Sequence, residues 1–257
     1  MKRRITAAQI REWKGGAPFP MITAYDAPFA SICEEAGIEL LLVGDSYGMV
    51  SLGLDATTQV ELDDLVRASA AVARGTQRAH IVTDLPFASF ERSDEHAIAS
   101  AVRLVKYGFA GSVKLEGDGA MAKRAAAIVA AGIPVMGHIG VRPQTAALSS
   151  GFRRQRDGER LLEDAIAFER AGAYAVVLEM VDDDAARRVT KKLSIPTIGI
   201  GSGAECDGQV LVLHDVLGLY PDPPPFAKRY ADLRTICIDA VRAYGEGVRS
   251  RQFPEAR

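Results

Sequence analysis

Eight short runs of apolar and β-branched residues alternate along this chain with stretches of helical spacing, and this alternation constrains the fold most strongly. The strand candidates are residues 19–25, 39–46, 80–86, 111–117, 134–140, 175–181, 196–203 and 209–213. Eight strands separated by helices predict an α/β fold, a parallel (β/α)8 TIM barrel. The competing architecture, a doubly wound open sheet, usually has a glycine-rich turn after its first strand. Here residues 23–26 read Thr-Ala-Tyr-Asp, without a glycine, which favours the barrel.

The alternation runs through the chain with no linker, low-complexity tract or charge block to divide it. This organisation predicts a single barrel domain over residues 1–257 with a C-terminal helical segment. Residues 226–243 have the amphipathic spacing of a helix that packs on the barrel or on a neighbouring subunit. Within the barrel, Ser93 is suited to cap a helix that Gly108 ends.

Composition argues against several classes of function. Hydrophobic residues make up 48% and charged residues 25% of the 257 residues, which is typical of a soluble globular protein with a substantial core. The formal net charge of -2 shows no bias toward nucleic acids or membrane surfaces. We therefore expect small molecules and copies of the same chain as partners. No apolar run has the length of a membrane span, and polar residues interrupt the basic start where a signal peptide would be apolar.

The cysteines indicate a reducing environment. Cys33, Cys206 and Cys237 lie far apart and form no CxxC pair. This pattern does not support a disulfide scaffold. Because neither a targeting segment nor a membrane segment is visible, we expect a cytoplasmic protein.

Polar residues follow the strand candidates at the points where the strands end. Active sites of (β/α)8 barrels form at this carboxyl-terminal edge, so we expect a site there. Its candidate residues are Asp45, Ser46, Asp84, Lys114, Glu116, His138 and Glu179. Taken singly, an aspartate after a strand more often fixes a turn. A lone histidine is as readily structural as catalytic.

The spacing on the fourth and sixth strands favours functional roles. Lys114 and Glu116 alternate with Val113 and Leu115, so both charged side chains project to the same side. Burying such a pair without a function rarely helps stability. Glu179 lies between apolar neighbours, and a poorly solvated carboxylate suits a general base. Its structural alternative is a partner for an interior lysine or arginine.

The set of carboxylates indicates a hard divalent ion. Asp45, Asp84 and Glu116 occur without a cysteine or a histidine pair at metal-binding spacing. Mg²⁺ suits oxygen ligands and keeps positions for water and substrate, whereas Zn²⁺ prefers nitrogen or sulfur. Such an ion can chelate a 2-oxo acid and stabilise the enolate that forms on deprotonation. Lys114 then adds positive charge and Glu179 acts as the base, so the residues predict enolate chemistry on a small oxo acid.

Several motifs together carry a resemblance to a known family. In chain order they read LLVGDSYGM, TDLPF, VKLEG, GHIGVRPQ, VVLEMV, IPTIGIGSGAECDGQVLVLHD and PFAKRYADL. In order and spacing they resemble the ketopantoate (3-methyl-2-oxobutanoate) hydroxymethyltransferase family. The resemblance covers residues 5–254, and its specificity lies in the combination of motifs.

The resemblance implies a Mg²⁺-dependent (β/α)8 barrel of the phosphoenolpyruvate mutase/isocitrate lyase superfamily. It implies transfer of a one-carbon unit from 5,10-methylenetetrahydrofolate to 3-methyl-2-oxobutanoate, giving 2-dehydropantoate for pantothenate and coenzyme A synthesis. It also implies a cytoplasmic homo-oligomer, a decamer of two pentamers.

The family's site residues can be matched to positions in this sequence. Its metal carboxylates match Asp45, Asp84 and Glu116. Its contacts to the oxo acid match Asp45, Ser46, Asp84 and Lys114. Its catalytic base matches Glu179, and His138 matches a position where a substrate contact is expected.

The loop after the fifth strand departs from the family pattern. Arg142 stands where threonine is usual, and residues 149–151 read Ser-Ser-Gly where paired glycines are common. Arg154 and Arg156 replace a valine and a glycine. None of these positions is a predicted metal ligand or base, so the predicted chemistry stands. The loop can shape the folate or side-chain pocket, and its arginines are either solvated or bind an acidic folate tail.

Three other functions remain open from the sequence. The first is an enzyme of the same superfamily that cleaves or forms a C–C bond in another 2-oxo acid without folate. The second is a barrel that has lost catalysis and only binds a ligand or partner, although every predicted metal ligand and the base are present. The third is a Schiff-base aldolase using Lys114, which leaves the carboxylates unexplained.

Overall fold

The computed structural model describes residues 4–148 and 151–255. The basic residues 1–3 and the departure from the family at Ser149 and Ser150 therefore lie outside the described residues. The chain divides into two compact units, one that ends at Val210 and one that begins at Leu211. The expectation of a single domain with a C-terminal helical segment stays a prediction.

Eight parallel strands form a closed barrel in chain order, β1 to β8. They span Phe19–Thr23, Leu40–Val43, His80–Asp84, Ser112–Glu116, Val135–Gly140, Ala175–Glu179, Thr197–Ile200 and Gly208–Leu211. The predicted α/β barrel and all eight predicted strands are confirmed. Most strands are shorter than predicted at one or both ends, but Asp84, Glu116 and Glu179 are still the last residues of their strands.

Helices alternate with these strands in the first unit. In chain order, α1 to α8 span Ala7–Arg11, Ala27–Glu35, Ser46–Val50, Leu62–Gly75, Asp94–Gly108, Ala122–Ala130, Gly158–Arg170 and Asp183–Lys192, with 3₁₀ segments at Thr57–Gln59 and Pro143–Leu148. The predicted cap of α5 is confirmed, since the Ser93 side chain accepts a hydrogen bond from the backbone N–H of His96. Among the described residues, no helix is both long and apolar enough to cross a membrane.

Strand register places the polar residues in layers above an apolar core. The inner core includes Met21, Leu40, Leu42, Val82, Met136, Val177, Ile198 and Val210. Toward the carboxyl ends of the strands, Asp84 is level with Lys114 on the next strand, and Glu116 is level with His138. Because side chains alternate along each strand, these four residues face the barrel interior together.

The second unit contains α9, Leu213–Leu217, and α10, Leu233–Arg249. The helix predicted over 226–243 therefore starts and ends later than expected. The physical reason is that the preceding segment bonds to the end of α9 and does not continue a helix: Tyr230 N–H donates to the carbonyl oxygen of Val216 at 2.8 Å. The exposed apolar side chains of α10 are Ile236, Ile238, Val241, Tyr244 and Val248.

Candidate active site

The carboxyl ends of β2 to β6 bring the predicted site residues into one chain of contacts. The backbone N–H of Asp45 donates to Oδ2 of Asp84 at 3.1 Å. Oδ1 of Asp84 lies 3.1 Å from Nζ of Lys114, which donates to Nδ1 of His138 at 3.2 Å. Nε2 of His138 lies 3.2 Å from Oε2 of Glu179. Residues from five separate strand ends thus form a continuous cluster.

Asp45 and Asp84 form the acidic end of this cluster, and both are buried. Burial raises the pKa of Asp84 to about 7, even though the neighbouring Lys114 opposes the shift. Burial also raises the pKa of Asp45. Two carboxyl groups in such surroundings do not both hold a negative charge easily unless more positive charge is supplied.

Glu116 faces the same cluster from β4. Its Oε1 accepts a hydrogen bond from the backbone N–H of Gln144 at 2.8 Å, and its Oε2 lies 3.5 Å from Nδ1 of His138. Burial raises the pKa of Glu116 well above its usual range, and repulsion from Asp45 adds to the rise. A third buried carboxyl group therefore increases the demand for positive charge.

Lys114 supplies part of that charge. Burial alone would lower the pKa of its ammonium group, but the carboxylates outweigh burial, Asp84 and Asp45 first, and raise that pKa. Lys114 therefore stays protonated at neutral pH. A lysine that forms a Schiff base needs a lowered pKa, so this environment argues against the aldolase alternative.

His138 connects Lys114 to Glu179, and its contacts define its tautomer. Burial, followed by the charge of Lys114, lowers the pKa of His138, so the ring is neutral. Because the ammonium of Lys114 can only donate, Nδ1 must accept and the proton must be on Nε2. Nε2–H then faces the carboxylate of Glu179. Both ring nitrogens thus contact protein groups.

Glu179 is the more accessible member of this pair, with 18% of its side chain exposed against 3% for His138. Its backbone is held on both sides. The carbonyl oxygen of Glu179 accepts from Val141 N–H at 2.8 Å, and the next residue, Met180, has the left-handed φ of 47°. Such a φ costs about 1 kcal/mol in a non-glycine residue and is typical of functional sites. The carboxylate is therefore reachable, and the backbone that carries it is restrained.

A glycine on β5 allows this arrangement. Gly140 has φ of 97°, and a Cβ at this position would lie 2.3 Å from the carbonyl oxygen of Glu179. No side chain fits there, so only glycine lets β5 approach the end of β6 so closely.

Ser46 lies at the start of α3, where its Oγ is 2.8 Å from the hydroxyl of Tyr25. Burial raises the pKa of Tyr25, so the phenol stays neutral beside the acidic groups. Tyr25 was missed by the sequence reasoning. The signal that could have revealed it is its position at the carboxyl end of the first predicted strand, which is the rule that selected the other candidates.

Gln144 was also missed, although it ends the GHIGVRPQ motif, four residues after β5. It is buried, and its Nε2 donates to Oδ2 of Asp45 at 2.8 Å and to the carbonyl oxygen of Leu85 at 3.1 Å. With its backbone N–H on Glu116, Gln144 joins two of the predicted metal carboxylates.

The donor set fits a hard cation. Asp45, Asp84 and Glu116 offer only oxygen atoms as metal ligands. The buried amide oxygen of Gln144 has no hydrogen-bond donor among the described residues. In residues 4–148 and 151–255, no group of three or more His, Cys, Asp or Glu side chains is arranged to hold a metal ion alone. Mg²⁺ commonly takes only one or two carboxylates and completes its shell with water and substrate oxygens. Asp45 and Asp84, joined through a backbone N–H, match that pattern.

A comparison with protein families supports the resemblance that the motifs at the strand ends indicate. A family model described as ketopantoate hydroxymethyltransferase matches residues 4–256. The chain belongs to this family. A 3-methyl-2-oxobutanoate hydroxymethyltransferase of Aeropyrum pernix is 51% identical over 255 residues, which cover 98% of this chain and 93% of the relative. One of Cenarchaeum symbiosum is 52% identical over 246 residues, covering 94% and 93%.

Solved structures of other proteins share the barrel fold of this ketopantoate hydroxymethyltransferase family member. A phosphoenolpyruvate phosphomutase of Streptomyces platensis superposes with a TM-score of 0.67 at 15% identity, covering 96% of this chain and 88% of that one. A 2,3-dimethylmalate lyase, described as a phosphoenolpyruvate mutase/isocitrate lyase superfamily member, gives 0.62 at 16%, covering 98% and 90%. These solved structures share the predicted barrel fold.

Two of the three arginines that depart from the ketopantoate hydroxymethyltransferase pattern, Arg142 and Arg154, contact acidic residues of this chain. Nη1 of Arg142 lies 3.4 Å from Oδ2 of Asp118. Arg154 pairs with Asp183 at 2.9 Å and donates to the carbonyl oxygen of Gly201 at 2.9 Å. Both guanidinium groups therefore connect the loop after β5 to loops that follow other strands of the barrel.

Proposed function

We propose that this chain transfers a hydroxymethyl group from 5,10-methylenetetrahydrofolate to 3-methyl-2-oxobutanoate and so forms 2-dehydropantoate for pantothenate synthesis. The family membership and the names of the relatives support the reaction type and the oxo acid. The structural observation that carries the proposal is an accessible carboxylate, Glu179, whose Oε2 lies 3.2 Å from Nε2 of the neutral His138 beside a buried acidic cluster.

Asp45 and Asp84 are the residues that would hold a Mg²⁺ ion, with Glu116 beside them. When bound, the ion supplies Lewis acidity that makes the C3 proton of the oxo acid easier to remove. Asp84 carries a raised pKa of about 7 without the ion, which indicates a site built for a positive charge. A phosphonopyruvate hydrolase of the same fold, 13% identical with a TM-score of 0.64, has been solved with oxalate and Mg²⁺.

The chain's own residues move the proton and hold the anion. Glu179 takes the proton from C3 of 3-methyl-2-oxobutanoate, and Nε2–H of His138 keeps its carboxylate oriented during the transfer. The ammonium of Lys114 stabilises the negative charge that develops on the oxo acid. Burial of the cluster strengthens these interactions because water does not screen them.

The second half of the reaction forms the new C–C bond. The one-carbon unit of the folate is bonded to two nitrogens, and both C–N bonds break: the carbon nucleophile at C3 replaces one nitrogen, and the oxygen of a water molecule replaces the other. The proton removed from C3 and one proton of the water go to the two nitrogens of the departing tetrahydrofolate, so the balance needs no oxidant or reductant. The loops after the strands, among them the one that contains Arg154, lie at the edge where the folate would enter.

The proposal is tested by incubating the chain with 3-methyl-2-oxobutanoate, Mg²⁺ and 5,10-methylenetetrahydrofolate. We expect 2-dehydropantoate to form only when all three are present. Exchange of the C3 proton with deuterium from solvent should proceed without the folate. Proton exchange and C–C cleavage of another oxo acid, with no folate-dependent product, would instead support the folate-independent alternative.

Location and assembly are separate parts of the proposal. We expect a cytoplasmic enzyme that forms homo-oligomers, a decamer by family resemblance. Sedimentation or light scattering of the purified chain would measure the subunit number, and a monomer would contradict this expectation.

A further inference from the structure

Gln144 lies between carboxylates that come from different strands. Asp45 follows β2 and Glu116 ends β4, so β3 separates them in the barrel. Gln144 follows β5 in the 3₁₀ segment and reaches both, through its side-chain amide to Asp45 and its backbone N–H to Glu116. The residue is only 5% exposed, so these contacts are shielded from water.

The amide orientation of Gln144 follows from its partners. Nε2 lies within hydrogen-bond distance of two acceptors, a carboxylate oxygen of Asp45 and the carbonyl oxygen of Leu85. If the amide were flipped, Oε1 would face two acceptors, and three oxygens would repel one another. Nε2 therefore faces Asp45, and Oε1 is directed away from it. Within the described part of the chain, this buried Oε1 has no hydrogen-bond donor.

A buried acceptor without a donor is costly, by about 1–3 kcal/mol, unless a bound molecule satisfies it. Such groups in native structures require an explanation, and a ligand at the site is one. Here the acceptor belongs to a side chain that also contacts two of the residues of the proposed cation site. A water or ligand donor bound beside Asp45 would complete its hydrogen bonding.

We propose that Gln144 is a positioning residue of the divalent-cation and oxo-acid site: it restrains Asp45 and Glu116, and its amide oxygen accepts a hydrogen bond from a bound water. This inference rests on the function proposed above. Glutamine suits the role because it is neutral. It restrains two mutually repelling carboxylates without cancelling the negative charge that attracts the cation, whereas a lysine would compete with the ion.

The test uses Gln144→Met, which keeps the length and volume of the side chain and removes both amide groups. The backbone N–H to Glu116 remains in any variant, so the substitution isolates the side-chain contacts. Binding of Mn²⁺ and Mg²⁺ to the full-length protein is measured by isothermal titration calorimetry without folate. Loss of such an orienting partner typically weakens metal binding about 10- to 100-fold, and we expect a loss in this range.

Gln77→Met is the matched control, because Gln77 is exposed and precedes β3 at the opposite end of the barrel. It should bind the ions like the wild type. Gln144→Asn is the second variant, which retains an amide that is too short to reach Asp45, and it should also bind more weakly. If either folded Gln144 variant binds the ions with wild-type affinity, the inference is wrong.

The outcome separates this inference from the proposed function. A merely structural role for Gln144 would lower the melting temperature of the cation-free variant while leaving the ion affinity of the folded protein unchanged, and that result overturns the inference alone. Failure of the wild type and of Gln77→Met to bind a divalent ion or to form product overturns the proposed function and this inference with it.

Discussion

Nε2 of His138 lies 3.2 Å from Oε2 of Glu179, while Nδ1 of the same ring accepts a hydrogen bond from Lys114 at 3.2 Å. The imidazole therefore contacts both Glu179, the candidate base, and Lys114, the candidate group that stabilises negative charge on the substrate. Because the ring is neutral and its proton is on Nε2, it can orient the carboxylate of Glu179 without neutralising it.

Replacing Glu179 by glutamine tests the base. Glu179→Gln keeps the shape of the side chain but cannot accept the C3 proton, so exchange of that proton with solvent should fall about 10²- to 10⁴-fold. Binding of the divalent ion and the oxo acid should stay near wild type, because Glu179 is not one of the proposed ligands. Proton exchange is followed by NMR in deuterated water.

Glu163→Gln is the matched control for this change, since Glu163 is an exposed carboxylate on α7. It should exchange the C3 proton at the wild-type rate. An unchanged rate in Glu179→Gln would remove Glu179 from the role of base.

Replacing His138 separates positioning from direct contact. His138→Leu removes both ring nitrogens, so Glu179 loses the group that orients it. We expect kcat to fall about 10- to 100-fold with a much smaller change in KM, because the loss acts on the oriented base. His138→Gln retains an amide donor toward Glu179 and should recover part of kcat. If KM for the oxo acid rises while kcat is unchanged, His138 binds substrate and does not position the base.

Affinity for the divalent ion should depend on pH through Asp84. Its pKa is raised to about 7, mainly by burial, so below that pH the carboxyl group is largely protonated. A proton must then leave before an ion can bind, and affinity should fall about tenfold per pH unit as the pH is lowered below 7. Calorimetry in buffers of different ionisation enthalpy should detect proton release at pH 6. Equal affinity at pH 6 and pH 8 would contradict this expectation.

The close approach of β5 to β6 predicts a large effect at Gly140. In Gly140→Ala the new Cβ meets the carbonyl oxygen of Glu179 at 2.3 Å, in addition to the strain of φ at 97°. We expect the free energy of unfolding to fall by more than about 2 kcal/mol. Thermal or urea unfolding of the purified protein measures the change.

Gly132→Ala provides the control for backbone strain. Gly132 has a similar φ of 88°, but a Cβ there meets nothing within 4 Å. Its substitution should cost only the left-handed strain, about 1 kcal/mol. If Gly132→Ala and Gly140→Ala lower the free energy of unfolding equally, the clash of the new Cβ with Glu179 adds no cost and the prediction is wrong.

Local sequence signals were sufficient for the strands and for some helix ends, but not for the last helix. Ser93 was correctly identified as a cap because its side chain bonds within one turn. The start of α10 was misplaced because residues before it form backbone hydrogen bonds to Val216, which lies well before them in the chain. A periodic pattern carries no information about such a contact.

The amino-acid sequence by itself determined the eight-stranded barrel, the family, and which carboxylates, lysine and histidine lie at the strand ends, because alternation and chain order are local properties. Only the tertiary structure decided which of these side chains meet. Asp45 and Gln144 are separated by 99 positions in the sequence and are brought to 2.8 Å by closure of the barrel. The orientation of His138 toward Glu179 and the unpartnered oxygen of Gln144 likewise depend on strand register and burial, which act between distant parts of the chain.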